Sequence, residues 1–379
     1  MTIRALLFAL SLAAAGAAHA AEESLIASLN ETVFKLPASV TGRAGATVSG
    51  QMTVTQFKPD GAGPFPIAIL LHGRALDRAA TPRFRYTQAA RYFVRRGFAV
   101  LVPTRLGYGE SGVEPDPEQS GGCTNKLYAP AFDAVAASAL DLIAYAGKLP
   151  FADPARIVVL GQSFGGAGAI ALAARQPAGV VATINFAGGG GGDPDKHPGS
   201  PCHPERLEST FASYGATSRL PTLWLYTEND RWMGATEPKR WFAAYAKTGG
   251  TGDYAAMPAF GEDGHALFAK GFEVWRPLVD QFLSKAGFAI PKSVGAPAPT
   301  GFARLGDVHL VPVTTTEARE QYQRFLKLDV PRAYAIGPRG GYAFLSAPDA
   351  VERVLASCRK QARAECKLYA VDDDVVWKE

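Results

Sequence analysis

Short unbroken apolar runs recur along this chain, each followed by a stretch with helical spacing. Ile67 to Leu71, Phe98 to Val102, Arg156 to Leu160, Val180 to Phe186 and Thr222 to Tyr226 are such runs. A strand that is apolar at nearly every position, rather than at alternate ones, must be covered on both faces. Helical patterns fill the gaps at 83–96, 131–147, 164–175, 237–247 and 273–285, with a further strand over Tyr254 to Phe260. Strands alternating with helices at this spacing predict an α/β fold, a mostly parallel sheet with helices on both faces. Thr47 to Phe57 alternates instead, and predicts that the sheet opens with antiparallel strands.

The 379 residues divide by composition. The α/β pattern occupies 21–290. Residues 291–300 hold Pro291, Gly295, Pro297 and Pro299 and read as a linker. Residues 301–379 read as a small α+β module. Its strands are expected at Pro331 to Ile336, Gly341 to Leu345, Lys367 to Val371 and Val375 to Trp377, with a helix from Pro348 to about Arg363. About 80 residues bury only a modest core, and nothing in this module has the look of a catalytic group.

Residues 1–20 read as a secretory signal peptide. Arg4 is the basic element, Ala5 to about Ala15 the apolar one, and Ala18-His19-Ala20 the cleavage site. Export, with the periplasm as the expected destination, makes the four cysteines disulfide candidates. Three pairings exist. We expect Cys358–Cys366, which closes a short loop, with Cys123–Cys202, which ties two long ones. No cysteine spacing fits a zinc site. Loss of Arg4 takes the formal charge from +4 to +3. This charge is too mild and too evenly spread to predict a nucleic-acid partner. No apolar stretch of about 18 residues follows the N-terminus, so no membrane span is expected.

Gly161-Gln162-Ser163-Phe164-Gly165 fits G-x-S-x-G. The pentapeptide alone is weak, but its setting is not: it follows a strand ending at Leu160 and opens an alanine-rich helix. A strand–elbow–helix turn strains the serine backbone, lifts the hydroxyl to the sheet's carboxyl edge and aims helix N–H groups at a developing oxyanion. With this motif, residues of about 45–288 resemble the α/β-hydrolase superfamily, and within it the dienelactone-hydrolase-like enzymes. Those enzymes carry a cysteine nucleophile where this chain has Ser163. The departure shifts the expectation toward general ester chemistry.

A serine nucleophile needs a base. Of six histidines, His265 follows the last strand and precedes the last helix, where this fold places its base. The acid should lie between Ser163 and His265, just after a strand. Asp230 is favoured because the resembling enzymes carry their acid at the end of the same Glu-Asn-Asp stretch. Glu228 is the alternative, and Asp263 lies too close in sequence to reach the ring. The oxyanion hole is expected from the N–H of Phe164 and, by resemblance, that of Arg74. Arg105, Tyr108 and Trp232 are expected to line the substrate pocket. Arginines along this rim suit a substrate carboxylate or are simply solvated. The glycine-rich loop from Gly188 to about Arg219 reads as a flexible cover.

The expected activity is hydrolysis of a small-molecule carboxylic ester, with no cofactor or metal. Rivals are a prolyl-oligopeptidase-like serine peptidase and a non-catalytic binding protein on the same scaffold. Oligomeric state is left open.

Overall fold

The structure, a computed structural model, describes residues 24–43 and 45–378, apart from the Arg339 side chain. The expected signal peptide lies outside the described residues.

The chain opens with an antiparallel pair, β1 (Thr32–Thr41) and β2 (Thr47–Phe57). Then come β3 (Phe65–Leu71), α1 (Thr87–Val94), β4 (Ala99–Thr104), α2 (Tyr128–Ala146), β5 (Ala152–Gln162), α3 (Phe164–Ala173) and β6 (Val180–Phe186). After them come α4 (Pro204–Thr217), β7 (Thr222–Thr227), α5 (Glu237–Lys247), β8 (Gly252–Met257), the short α6 (Leu267–Lys270) and α7 (Phe272–Lys285). The eight strands run in the order β1-β2-β4-β3-β5-β6-β7-β8. From β4 to β8 every neighbouring pair is parallel, while β2 meets β4 antiparallel.

Each face of the sheet has its own core. Ile67, Ile69 and Leu71 point to the side covered by α2, α3, α4 and α5. Ala68 and Leu70 point to the side covered by α1 and α7. This period of two within an all-apolar strand is what burial on both faces requires. Helix α2 is long and apolar enough to cross a membrane by composition, contrary to the sequence reading. It instead packs on the sheet through Phe132, Val135, Ala139 and Leu142.

Several boundaries move for local reasons. The helix expected over 83–96 begins only at Thr87, because Arg83 and Arg85 are drawn to Glu31 and Tyr86 turns left-handed at φ 46°. β8 ends at Met257 because the Asn229 side chain grips the main chain at Phe260 and pulls it out of the sheet. The expected cover from Gly188 to Arg219 is not one loop. Its second half is α4, which buries Leu207, Phe211 and Tyr214 at helical spacing.

A separate four-stranded antiparallel sheet stands at the C-terminus, with Arg332–Ile336 and Lys367–Val371 as its inner strands. Its elements are α8 (Thr316–Leu326), β9 (Arg332–Ile336), β10 (Tyr342–Ser346), α9 (Ala350–Ala362), β11 (Lys367–Val371) and the two-residue β12 (Asp374–Val375). Helix α8 went unread in the sequence. It buries Ala318, Tyr322, Phe325 and Leu326 and is capped by the Thr315 hydroxyl. The segment 291–300 is bonded along the module: Ser293 to Asp372, Val294 to Pro348 and Thr300 to Val375. Disulfides join Cys123 to Cys202 and Cys358 to Cys366.

Candidate active site

β5 carries Gln162 to the carboxyl edge of the sheet, and Ser163 turns the chain into α3. Ser163 has φ 55° and ψ −123°, a conformation residues with side chains rarely adopt. Its N–H donates to the Phe186 carbonyl at 2.8 Å, which pins the turn to β6. Both flanking glycines are sterically required. A Cβ on Gly161 would lie 2.1 Å from the Gly165 carbonyl oxygen, and one on Gly165 2.3 Å from that of Leu71. The elbow is therefore pressed between strand and helix.

Ser163 opens into a cavity of about 240 Å³. Phe164, Arg74, Arg78, Lys126, Trp232, Met233 and the run Gly189 to Gly192 line it. The N–H groups of Phe164 and Arg74 donate to no acceptor among the described residues. Phe164 follows the serine directly, and Gly73, just before Arg74, lies against it, a Cβ there falling 3.7 Å from Ser163 Oγ. Unpaired amides so placed suit a developing oxyanion. Ser163 Oγ itself makes no hydrogen bond to a described residue, as is common before substrate closes such a site.

Asp230 heads the turn after β7 and is buried. Its Oδ1 accepts from the N–H groups of Trp232 (2.8 Å) and Met233 (2.9 Å). Both carboxylate oxygens also face His265 Nδ1, at 3.0 and 3.1 Å. Nδ1–H is then the donor, and Nε2 on the far side of the ring is left free to accept a proton. The Trp232 ring stacks on the imidazole, centroids 5.4 Å apart. Trp232 lines the cavity together with Ser163 and lies between it and the imidazole it stacks on. Glu228 is exposed and makes no bond to His265. Asp263 touches the main chain of His265, not its ring.

The sequence matches the model of the alpha/beta hydrolase family over residues 68–354. The chain belongs to this family. No curated protein matches it. Solved structures resemble the hydrolase at low identity. One is a Klebsiella pneumoniae chain assigned as a dienelactone hydrolase, at 17% identity and TM-score 0.44, over 66% of this chain and 99% of that one. An esterase of Pyrococcus furiosus matches at 14% identity and TM-score 0.45, over 66% and 92% of the two chains. The acylaminoacyl peptidase of Pyrococcus horikoshii matches at 13% identity and TM-score 0.48, over 69% of the hydrolase but 41% of its own length.

The pocket expectation needs correction at two residues. Arg105 and Tyr108 are fully buried and do not line the cavity. Arg105 Nη2 pairs with Glu118 at 3.1 Å and Nη1 donates to the His72 carbonyl at 2.7 Å, while the Tyr108 hydroxyl donates to Glu118 at 2.6 Å. A buried arginine is tolerated only when paired in this way, so the guanidinium is drawn inward. His72 completes the cluster. Its Nε2 accepts from the Arg105 N–H at 3.1 Å, so Nδ1 carries the proton to the Gly73 carbonyl at 2.7 Å. Burial, followed by Arg105, holds the His72 pKa well below the ordinary imidazole value, and the ring is a neutral structural link.

Of the rim arginines, Arg74 and Arg78 line the cavity but share Asp116 as counter-ion. Lys126 was not singled out from the sequence. Its Nζ donates to the Gly121 carbonyl (2.6 Å) and the Ser120 hydroxyl (3.2 Å) and has no carboxylate partner among the described residues. Burial, then the charges of Arg74 and Arg43, lowers its pKa. No carboxylate among the described residues lines the cavity. Among the described residues, no three His, Cys, Asp or Glu side chains are grouped to hold a metal.

Proposed function

We propose that this hydrolase cleaves small carboxylic esters through an acyl-enzyme on Ser163. The observation that carries the reading is a strained serine opening into a cavity whose Trp232 wall stacks on the imidazole of a bonded Asp230–His265 pair. His265 Nε2 takes the proton from the Ser163 hydroxyl as the oxygen attacks the ester carbonyl. Asp230 keeps the ring in the Nδ1–H tautomer and stabilises the imidazolium. The amides of Phe164 and Arg74 hold the oxyanion, His265 returns the proton to the departing alcohol, and water then releases the acid by the same route. A cavity of about 240 Å³ suits a small acyl group. A dienelactone-hydrolase-like site with serine in place of cysteine is the finer form of this proposal. Lys126, without a counter-ion, favours an acyl group bearing a carboxylate. The two disulfides fit an oxidising compartment, and we place the hydrolase in the periplasm.

The test is labelling with a fluorophosphonate, which needs an activated serine, together with turnover of short-acyl p-nitrophenyl esters and of peptides. Labelling and ester turnover are expected, and Ser163→Ala should lower turnover by about 10⁴-fold or more in a folded protein. Peptide cleavage without ester turnover would favour a peptidase. An unlabelled serine would leave only a binding role.

A further inference from the structure

The bond between Asp230 and His265 fixes one edge of the imidazole, but a ring held at one edge can pivot. His265 lies in a single turn after β8, Gly264–Ala266, not in a long helix or strand. Its main chain is nevertheless gripped from both ends. The His265 N–H donates to Asp263 Oδ1 at 3.0 Å, and that same oxygen accepts the Arg231 N–H at 3.0 Å. One carboxylate atom thus bridges the turn that carries the acid and the turn that carries the base. On the other side, the His265 carbonyl accepts from Gln162 Nε2 at 3.2 Å. Gln162 immediately precedes the nucleophile and ends β5, which is paired with β3 on one side and β6 on the other. Its amide cannot rotate freely, because Oε1 accepts from the Tyr86 hydroxyl at 3.3 Å. Tyr86 in turn packs edge-on against Phe268, three residues past the base, with centroids 5.0 Å apart.

We infer that Gln162 and Asp263 are positioning residues, which set the approach of His265 to Ser163 by holding its main chain. The inference rests on the hydrolase reading above. Gln162 transmits the rigidity of the central strand to the base, and Asp263 locks the base turn to the acid turn. Neither touches the reacting atoms. A displacement of about 1 Å at such a site costs on the order of 100-fold in rate, so loss of either hold should be felt in kcat.

The experiment compares Gln162→Leu, Asp263→Ala and Asp263→Asn with the wild type on one ester, with each rate divided by the fluorophosphonate-titrated site concentration, which removes any unfolded fraction. The Leu and Ala variants should lose about 10- to 100-fold in kcat with KM nearly unchanged. Asp263→Asn keeps an oxygen acceptor and should recover most of the loss. Wild-type kcat per titrated site in the Leu and Ala variants overturns the inference alone. So does an Asn variant as impaired as Ala. A wild type that takes no label removes the hydrolase reading and this inference together.

Discussion

A serine in the backbone conformation of Ser163 costs of order 1–3 kcal/mol, which surrounding structure must offset. The two glycines and the bond to Phe186 do so here. The resemblance favours Asp230 over Glu228, and the structure gives a physical reason for that preference. Both follow β7 within three residues, but Asp230 uses its own carboxylate to close the turn, which aims the group inward, while Glu228 stays in solvent. Lys126 is the residue from which substrate choice can be tested. A hydrogen bond to a charged group contributes about 1.5–3 kcal/mol, or roughly 10- to 100-fold in affinity. Lys126→Met should raise KM by about tenfold for an ester with a carboxylate on its acyl group. KM for the matching neutral ester should hardly move. Equal changes for both esters would show that Lys126 serves only its own loop.

At the level of elements, the Cys123–Cys202 disulfide joins two walls of the cavity. Cys123 belongs to the loop that also presents Gln119, Ser120 and Lys126, and Cys202 donates its N–H to Gly191 in the glycine run. Gly191 has φ +79°, and a Cβ there would lie 2.3 Å from the Tyr128 hydroxyl, so the run threads a gap that admits no side chain. Removing the bridge by Cys123→Ser with Cys202→Ser frees a span of 79 residues, and the expected loss of stability is about 2–5 kcal/mol. Because Ser163, Asp230 and His265 sit on other elements, KM should rise more than kcat falls. An unchanged melting temperature and KM would refute the structural role of the bridge. The same elements show what the sequence could and could not tell. The central strands were legible because burial on both faces leaves a continuous apolar signature, and the elbow was legible because its glycines are sterically forced. Helix α4 was not, because it begins in a Gly/Pro-rich stretch and buries only one stripe. Arg105 was misplaced because charge suggests solvent, whereas its partner Glu118 lies in a loop that no pattern connects to it.

Across the whole molecule, the C-terminal module is tied to the α/β body by charge more than by apolar surface. Arg276 on α7 donates to Asp373 at 3.0 Å through Nε and to the Leu328 carbonyl at 2.8 Å. Arg332 reaches the same Asp373 at 3.0 Å, and both arginines are fully buried. The outer pair, Arg95 with Asp329, leaves Arg95 nearly half exposed. Breaking a buried pair strands a charge and costs about 3–5 kcal/mol, whereas an exposed pair contributes at most about 1 kcal/mol. Asp373→Asn should therefore lower the melting temperature far more than Asp329→Asn. The pH dependence separates charge from packing. Burial opposes ionisation of Asp373, but Arg276 and Arg332 outweigh it and hold its pKa below the ordinary carboxyl value. A carboxyl lowered in the folded state contributes its stability above its unfolded pKa of about 4 and loses it as pH falls through the lower folded value. Thermal melts should show the full gap between wild type and Asp373→Asn at neutral pH, narrowing as pH drops below about 4. A gap of constant size down to acid pH would mean that shape, and not the ion network, joins the module to the hydrolase body.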